Sequence, residues 1–170
     1  MTRNRNVFGA FALMVADDIV RATSAQAPDA GPAASALALL DHDPGMSVRT
    51  LAKGVGLSHP GAVRLVDRLV ADGFIERRGH ATDGRTVALH LTAQGESRSR
   101  TILEARNAVI AETLAVLSVD EQAVLASLAE RVVRARLRDL DHAYSVCRLC
   151  EYSACSRCPV DDQLSKQATA

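Results

Sequence analysis

Aromatic residues are scarce in this chain of 170 residues, which contains three Phe, two Tyr and no Trp. The hydrophobic share of the composition is nevertheless 48%, so a buried core has to be built mainly from Ala, Val and Leu. Ala and Leu are strong helix formers, and small side chains let helices pack closely. The composition therefore favours a helical core.

Long apolar runs are also missing. The longest run, from Val7 to Ala16, has ten residues, whereas a membrane-spanning helix needs about 20. The basic start of the chain leads to Asp17 and Asp18 and not to the small residues of a signal-peptide cleavage site. We therefore expect a soluble, cytoplasmic protein without a membrane partner.

A net charge of one sign is lacking, because 20 basic residues balance 20 acidic ones. Between residues 47 and 92, however, there are seven Lys or Arg and only four Asp or Glu. This local excess of positive charge is mild, and it is found both on DNA-binding surfaces and on ordinary solvated helices.

Apolar spacing predicts two helices in the first part of the chain. Phe8, Phe11, Val15 and Ile19 recur at intervals of three and four residues, which predicts a helix over residues 5–23. Prolines and a glycine interrupt the chain after that helix, and a second helix is expected over residues 33–42, ended by Asp43-Pro44-Gly45.

Two short capped helices joined by a glycine-containing turn follow. Ser47 is expected to cap a helix over 48–53, and Ser58 a helix over 59–71, with the turn at 54–57. This order is the helix-turn-helix pattern. Two predicted strands, 74–77 and 86–91, flank the turn residues Asp83-Gly84 and indicate a hairpin, the wing.

Two long helices are predicted after the wing. Thr92 is expected to cap a helix of about 25 residues, and Ser118 to Glu121 form a capping box for a helix expected to reach Tyr144. The apolar stripe of that last helix is Leu125, Leu128, Val132 and Ala135. These stripes exceed what a small winged domain can cover, so dimerisation is expected.

Four segments, in this order and spacing, resemble the MarR family of bacterial transcription regulators. They are Leu57-Ser58 with Ala62-Val63 and Leu65-Val66-Asp67-Arg68-Leu69, then Gly73-Phe74-Ile75-Glu76-Arg77-Arg78, then Asp83-Gly84-Arg85, and finally Leu91-Thr92-Ala93 with Gly95. The resemblance covers residues 5–145 and implies a homodimer with interlocking terminal helices, and one recognition helix per protomer in a major groove.

The predicted fold class is therefore mainly α, a winged helix-turn-helix with a two-stranded wing and a helical dimerisation domain. We expect N-terminal dimerisation and support helices over 1–46, the DNA-binding region over 47–92, C-terminal dimerisation helices over 93–146 and a cysteine-rich tail over 147–170.

The expected DNA contacts lie on the second helix of the motif and in the wing. They are Ser58, His59, Gly61, Arg64, Arg68 and Arg85. Arg64 is the first choice for a base contact, because its guanidinium can pair with both acceptors of guanine, and His59 is the second. The resemblance implies that Arg85 enters the minor groove, braced by Asp83.

Two further arginines lie at the base of the wing. Arg77 and Arg78 are adjacent on a predicted strand, so their side chains should point to opposite faces. We therefore expect one of them to form an internal salt bridge and not to contact DNA.

All four cysteines lie near the C-terminal end of the sequence, as two C-x-x-C units: Cys147, Cys150, Cys155 and Cys158. Such spacing indicates one shared site. In a continuous helix the outer two would be about 16 Å apart, so the helix must break near residues 151–154. Zinc, an iron-sulfur cluster and reversible disulfides all remain possible fillings. His142 is expected to be a polar surface residue, with a metal-ligand role as the alternative.

The expected function is a sequence-specific regulator, a repressor, that binds a pseudo-palindromic operator in double-stranded DNA. The cysteine site would change DNA affinity by tilting the dimer helices. Two alternatives remain. One is a regulator that senses a small ligand and has a purely structural zinc clip, and the other is a thiol or electron-transfer protein with a winged-helix docking module. No catalytic triad or phosphate-binding glycine loop is found in the sequence, so no enzyme is expected.

Overall fold

The computed structural model describes residues 2–29, 31–79 and 87–168. In chain order its elements are α1 (Arg3–Gln26), α2 (Ala33–His42), α3 (Val48–Gly54), α4 (His59–Ala71), β1 (Ile75–Gly79), β2 (Val87–Leu91), α5 (Ala93–Leu114), α6 (Val119–Arg136), α7 (Leu140–Cys147), a 3-10 turn (Tyr152–Ala154) and α8 (Pro159–Ala168). The mainly helical class with a two-stranded wing is confirmed. Within the described ranges, no helix is both long enough and apolar enough to cross a membrane.

Helix α2 lies at the centre of the main core, where seven of its ten residues are buried. Leu37 and Leu40 of this helix share one cluster with Leu65 and Leu69 of α4 and with Ile102 of α5. Each buried leucine contributes about 1.5–3 kcal/mol relative to an exposed one. Aliphatic packing therefore holds the helix-turn-helix, the wing and α5 together, as the scarcity of aromatic residues predicts.

Side-chain caps begin the helices where the sequence predicts them. Ser47 Oγ accepts a hydrogen bond from the amide of Thr50 at 3.1 Å, and Thr92 Oγ1 accepts one from the amide of Gly95 at 3.1 Å. Ser118 and Glu121 form the reciprocal capping box. The Glu121 carboxyl accepts hydrogen bonds from the backbone amide of Ser118 and from its hydroxyl, and these hold the pKa of that carboxyl below its usual range.

The wing is an antiparallel pair in which Ile75 lies opposite Leu91 and Gly79 opposite Val87. The predicted first strand is therefore displaced, because Phe74 stays in the turn after α4 and the strand continues to Gly79. Thr86, the predicted start of the second strand, lies outside the described residues. The wing joins α5 closely: Thr92 Oγ1 donates a hydrogen bond to the carbonyl oxygen of Gly73 at 2.6 Å.

One predicted helix is wrong. The helix that begins after Ser118 ends at Arg136, where Leu137 turns into extended backbone, and it does not continue to Tyr144. Asp139 begins a separate helix, α7, by accepting a hydrogen bond from the amide of His142 at 2.7 Å. His142 Nδ1 in turn accepts one from the amide of Arg138 at 3.3 Å. The break follows from these reciprocal bonds, which occupy His142 in helix capping.

Gly95 allows the closest approach between α5 and the wing, and we predict that Gly95→Ala destabilises the protein. An added Cβ would lie 2.1 Å from the carbonyl oxygen of Phe74, a backbone atom that cannot rotate away. The cost should be about 1–3 kcal/mol in the free energy of unfolding, measured by urea denaturation. Gly79→Ala is the control, because a Cβ there meets no atom of the described residues within 4 Å. Equal stability of the two variants would contradict this packing.

Candidate functional site

Helices α3 and α4 form a helix-turn-helix whose turn spans residues 55–58. Gly56 has a φ of 69°, a left-handed conformation that glycine adopts without strain. Ser58 then caps α4 by accepting a hydrogen bond from the amide of Gly61 at 3.3 Å. The predicted turn is confirmed, and Gly54 belongs to α3 and not to the turn.

One face of α4 is buried and the other is exposed. Ala62, Leu65, Val66 and Leu69 are buried in α4. Ser58 and His59 at its start, and Arg64 and Arg68 further along, are exposed. The structure thus brings four of the six predicted DNA-binding residues onto one accessible surface, and Gly61 lies half-buried beside the cap.

Several arginines near that surface form ion pairs. Arg68 Nε lies 2.6 Å from a carboxylate oxygen of Asp29, and Arg77 lies 2.6 Å from one of Asp67. Arg78 pairs with Glu76 on the same strand. We expected only one of Arg77 and Arg78 to be paired, but both are. These pairs are exposed and contribute about 0–1 kcal/mol each, so phosphate groups can replace the acids.

Arg64 differs from these arginines: among the described residues it has no acidic partner. Its guanidinium is therefore available to a base edge without first breaking a salt bridge. Arg85 and Asp83, the predicted wing contacts, lie outside the described residues.

The cysteines surround a break in the helical chain, as predicted. Cys147 ends α7, Cys150 and Cys155 lie on either side of the 3-10 turn, and Cys158 immediately precedes α8. The amide of Cys150 donates a hydrogen bond to the carbonyl oxygen of Cys147 at 2.8 Å. Cys155 is exposed, whereas the other three cysteines are half-buried.

The four thiols affect one another electrostatically. The Cys147 thiol donates a hydrogen bond to the sulfur of Cys150, which raises the pKa of Cys147; burial and the neighbouring sulfurs of Cys150 and Cys158 raise it further. The same hydrogen bond lowers the pKa of Cys150, and the guanidinium of Arg106 lowers it as well. Burial, followed by the charges of Cys158 and Cys150, raises the pKa of Cys155. The thiols therefore form one electrostatic cluster.

That cluster is not arranged as a finished metal site. In the described parts of the chain, no group of three or more His, Cys, Asp or Glu side chains has an arrangement that could hold a metal ion. Within it, a hydrogen bond joins the thiols of Cys147 and Cys150.

Two contacts of the cysteine-rich end were not predicted from the sequence, and both involve tyrosines. The hydroxyl of Tyr144 donates a hydrogen bond to Asp43 at 2.8 Å, and the ring of Tyr152 lies edge-on to that of His42, with 4.2 Å between centroids. Both tyrosines thereby attach the C-terminal segment to the end of α2. The one available signal was that the only two Tyr of the chain lie beside the cysteines.

A chain with a capped α3–turn–α4 unit, a two-stranded wing and an exposed basic face on α4 is a winged helix-turn-helix protein. A family model described as MarR family matches residues 30–86. The chain is 31% identical over 96 residues to an HTH-type transcriptional regulator of Mycobacterium tuberculosis, MT0903.1. The aligned segment covers 56% of this chain and 67% of that relative.

Two further comparisons also point to transcription regulators. The HTH-type transcriptional regulator BilQ of Clostridium symbiosum is 49% identical over 53 residues, a match that spans 31% of this chain and only 37% of that protein. The crystal structure of the PcaV transcriptional regulator from Streptomyces coelicolor with its natural ligand superimposes with a TM-score of 0.54 at 30% identity, covering 75% of this chain and 91% of PcaV. The chain belongs to the MarR family of transcription regulators, which bind DNA and are not generally enzymes.

The availability of Arg64 leads to a prediction about sequence preference. Arg64→Ala should reduce discrimination at one base pair of each half-site by about 1–3 kcal/mol, because a bidentate contact to guanine is lost. Duplexes selected by the parent protein from a random pool, with each base pair then varied in turn, provide the measurement. Arg136→Ala on α6 removes the same charge from another surface and should leave the preference unchanged. Unaltered discrimination in Arg64→Ala would show that Arg64 does not contact a base.

Proposed function

We propose that this regulator is a homodimeric repressor that binds a pseudo-palindromic operator through α4. The observation that carries the proposal is the exposed face of α4, where Arg64 projects without an acidic partner among the described residues. A two-fold dimer presents two such helices, and they enter major grooves about one helical turn apart. Repression follows if the bound dimer excludes the transcription machinery from a promoter. Such a protein acts on the chromosome in the cytoplasm.

An apolar stripe on α6 supports the dimer. Across all 18 residues of α6, every one of which the structure describes, no side chain is buried in the single protomer. Leu128 is 49% exposed and Val132 55% exposed, and they lie one turn apart on the same face. On α1, Phe8 is 63% exposed, although Phe11 from the same stripe packs partly against its surroundings. A second copy of the chain is the partner that we propose for these surfaces.

The dimer predicts that a charge in the stripe separates the protomers. Leu128→Asp should lower the molar mass in solution, measured by light scattering, from that of a dimer to that of a monomer, because an unpaired buried carboxylate is costly. Ala126→Asp places the same charge on the far side of α6 and should remain dimeric. A dimeric Leu128→Asp protein, or a parent that is itself monomeric, would contradict the proposed interface.

For the cysteines we propose a four-thiolate metal centre that modulates DNA binding. The support is the spacing of the two C-x-x-C units and their position on both sides of the break between α7 and α8. Among the described residues the thiols are not arranged to hold an ion, so binding would have to draw the four thiols together. The residue types fit zinc and an iron-sulfur cluster equally, since both accept four thiolates. The lowered pKa of Cys150 favours a thiolate ligand at that position.

Metal analysis of protein purified without oxygen tests this centre. Zinc predicts a colourless protein with about one metal ion per chain, and a cluster predicts brown protein that bleaches in air. Cys150→Ser should lose most of the metal, because the set of thiolates becomes incomplete, whereas Ser153→Ala should keep it. Metal-free parent protein with four titratable thiols would rule out both metals and leave a disulfide switch between the closely placed Cys147 and Cys150.

A further inference from the structure

Helix α7 returns from the long helices and packs on α3, the first helix of the helix-turn-helix. Two polar contacts join this part of the C-terminal segment to the motif and to the residue that follows α2. Asp141 of α7 lies 2.5 Å from Nζ of Lys53 in α3, and the hydroxyl of Tyr144 reaches the carboxylate of Asp43, just after α2. The C-terminal segment thus contacts the chain on both sides of the start of α3.

The approach of α7 to α3 depends on Gly54. A Cβ at this position would lie 2.7 Å from Cδ1 of Leu39 and 3.2 Å from Cβ of Tyr144. A side chain here would press on both α2 and α7, so glycine favours this close packing of α7. Tyr144 itself packs against the main core, so α7 and the helix-turn-helix share one body of packed side chains.

The cysteines lie at the other end of α7, and the segment around them is also attached. Cys147 is the last residue of α7, and Leu149 packs against the main core. Glu151 accepts a hydrogen bond from Asn107 of α5, and the ring of Tyr152 lies edge-on to His42 at an interplanar angle of 84°. A change in the bonding of the thiols would therefore move the residues that contact α2 and α5, and it would move the C-terminal turn of α7.

We propose that α7 transmits the state of the cysteine centre to the recognition helix, with Asp141 and Tyr144 as the positioning residues. This inference rests on the proposed function. With its thiolates bound, the centre anchors the C-terminal end of α7, and α7 holds α3 and hence α4 in the orientation that fits the operator. Without that anchor, α7 loosens its contacts with Lys53 and Asp43, and operator affinity falls. The route runs directly to the DNA-binding motif, unlike the tilting of dimer helices that the sequence suggested.

A double-mutant cycle tests this route whatever metal the centre holds. Operator affinity is measured for the parent, for Cys150→Ser, for Asp141→Asn combined with Tyr144→Phe, and for the triple variant, using duplex selected by the parent from a random pool. Cys150→Ser should weaken binding by about tenfold in the parent, a typical strength of coupling between two sites. In the Asp141→Asn and Tyr144→Phe background the same substitution should change affinity by less than about twofold.

Tyr152→Phe is the matched control. It also removes one tyrosine hydroxyl, but that hydroxyl bonds to Asp161 within the C-terminal segment, at 2.9 Å. The tenfold effect of Cys150→Ser should persist in this background. Metal content and molar mass are measured for every variant, and both should match the parent in Asp141→Asn with Tyr144→Phe, which a general loss of structure would not allow.

The outcomes separate this inference from the proposed function. If Cys150→Ser weakens binding equally with and without Asp141 and Tyr144, α7 is not the route and the inference is wrong. If Cys150→Ser leaves affinity unchanged in the parent, the inference is also wrong, while a metal-containing protein that binds its operator still stands, with a structural clip at its end. A parent that selects no duplex overturns the proposed function itself, and the inference with it.

Discussion

The burial of one face of α4 is the constraint on which the rest of this protein depends. Leu65, Val66 and Leu69 are almost fully enclosed by the main core. Turning α4 about its axis would expose these side chains to water, at a cost of about 1.5–3 kcal/mol for each. Aliphatic packing therefore determines which residues of α4 remain outside, and the polar side chains of His59 and Arg64 reach solvent as a consequence.

Ion pairs around α4 reduce the local excess of positive charge in the DNA-binding region. Arg68, Arg77 and Lys53 are each close to a carboxylate, so much of the local excess of positive charge is neutralised within the protomer. Because these pairs are exposed, exchanging a carboxylate for a phosphate costs little. Such an arrangement weakens the general electrostatic attraction of this surface for polyanions. Under the proposed function, sequence preference then depends on groups such as Arg64.

The C-terminal segment uses rare residues for its attachment. Tyr144 and Tyr152, the only tyrosines of the chain, each combine ring packing with a hydroxyl that donates to a carboxylate. Burial and the hydrogen bond to Asp43 together raise the pKa of Tyr144 to about 12, so its hydroxyl stays protonated across the physiological pH range. An amphipathic side chain of this kind suits a junction that is apolar on one side and polar on the other.

Local signals in the sequence determined the order of the elements, most helix starts and the two cysteine pairs. Ser47, Ser58, Thr92 and Ser118 act on amides three residues away, so their effect is contained in a few consecutive letters. Strand ends were less accurate, because the amide of Phe74 donates a hydrogen bond to the carbonyl oxygen of Leu69 in α4 at 2.9 Å and stays in the turn after that helix. The break at Leu137 was missed although its capping signal is also local, because Asp139 caps α7 through the amide of His142, three residues on. Burial of Leu137 against residues of α7 and α8 accompanies that break.

Only the tertiary structure decided which of these pieces meet. The pairing of Arg68 with Asp29 and of Tyr144 with Asp43 joins residues separated by 39 and 101 positions, a distance over which spacing in the sequence carries no information. Sequence spacing likewise gave no reason for a glycine at position 54, where the absence of a side chain matters because α7 packs beside it. The sequence by itself determined a winged helix-turn-helix with a cysteine-rich end, since periodicity and capping are local; folding placed that end against the DNA-binding motif, since long-range packing depends on how all the buried faces fit together.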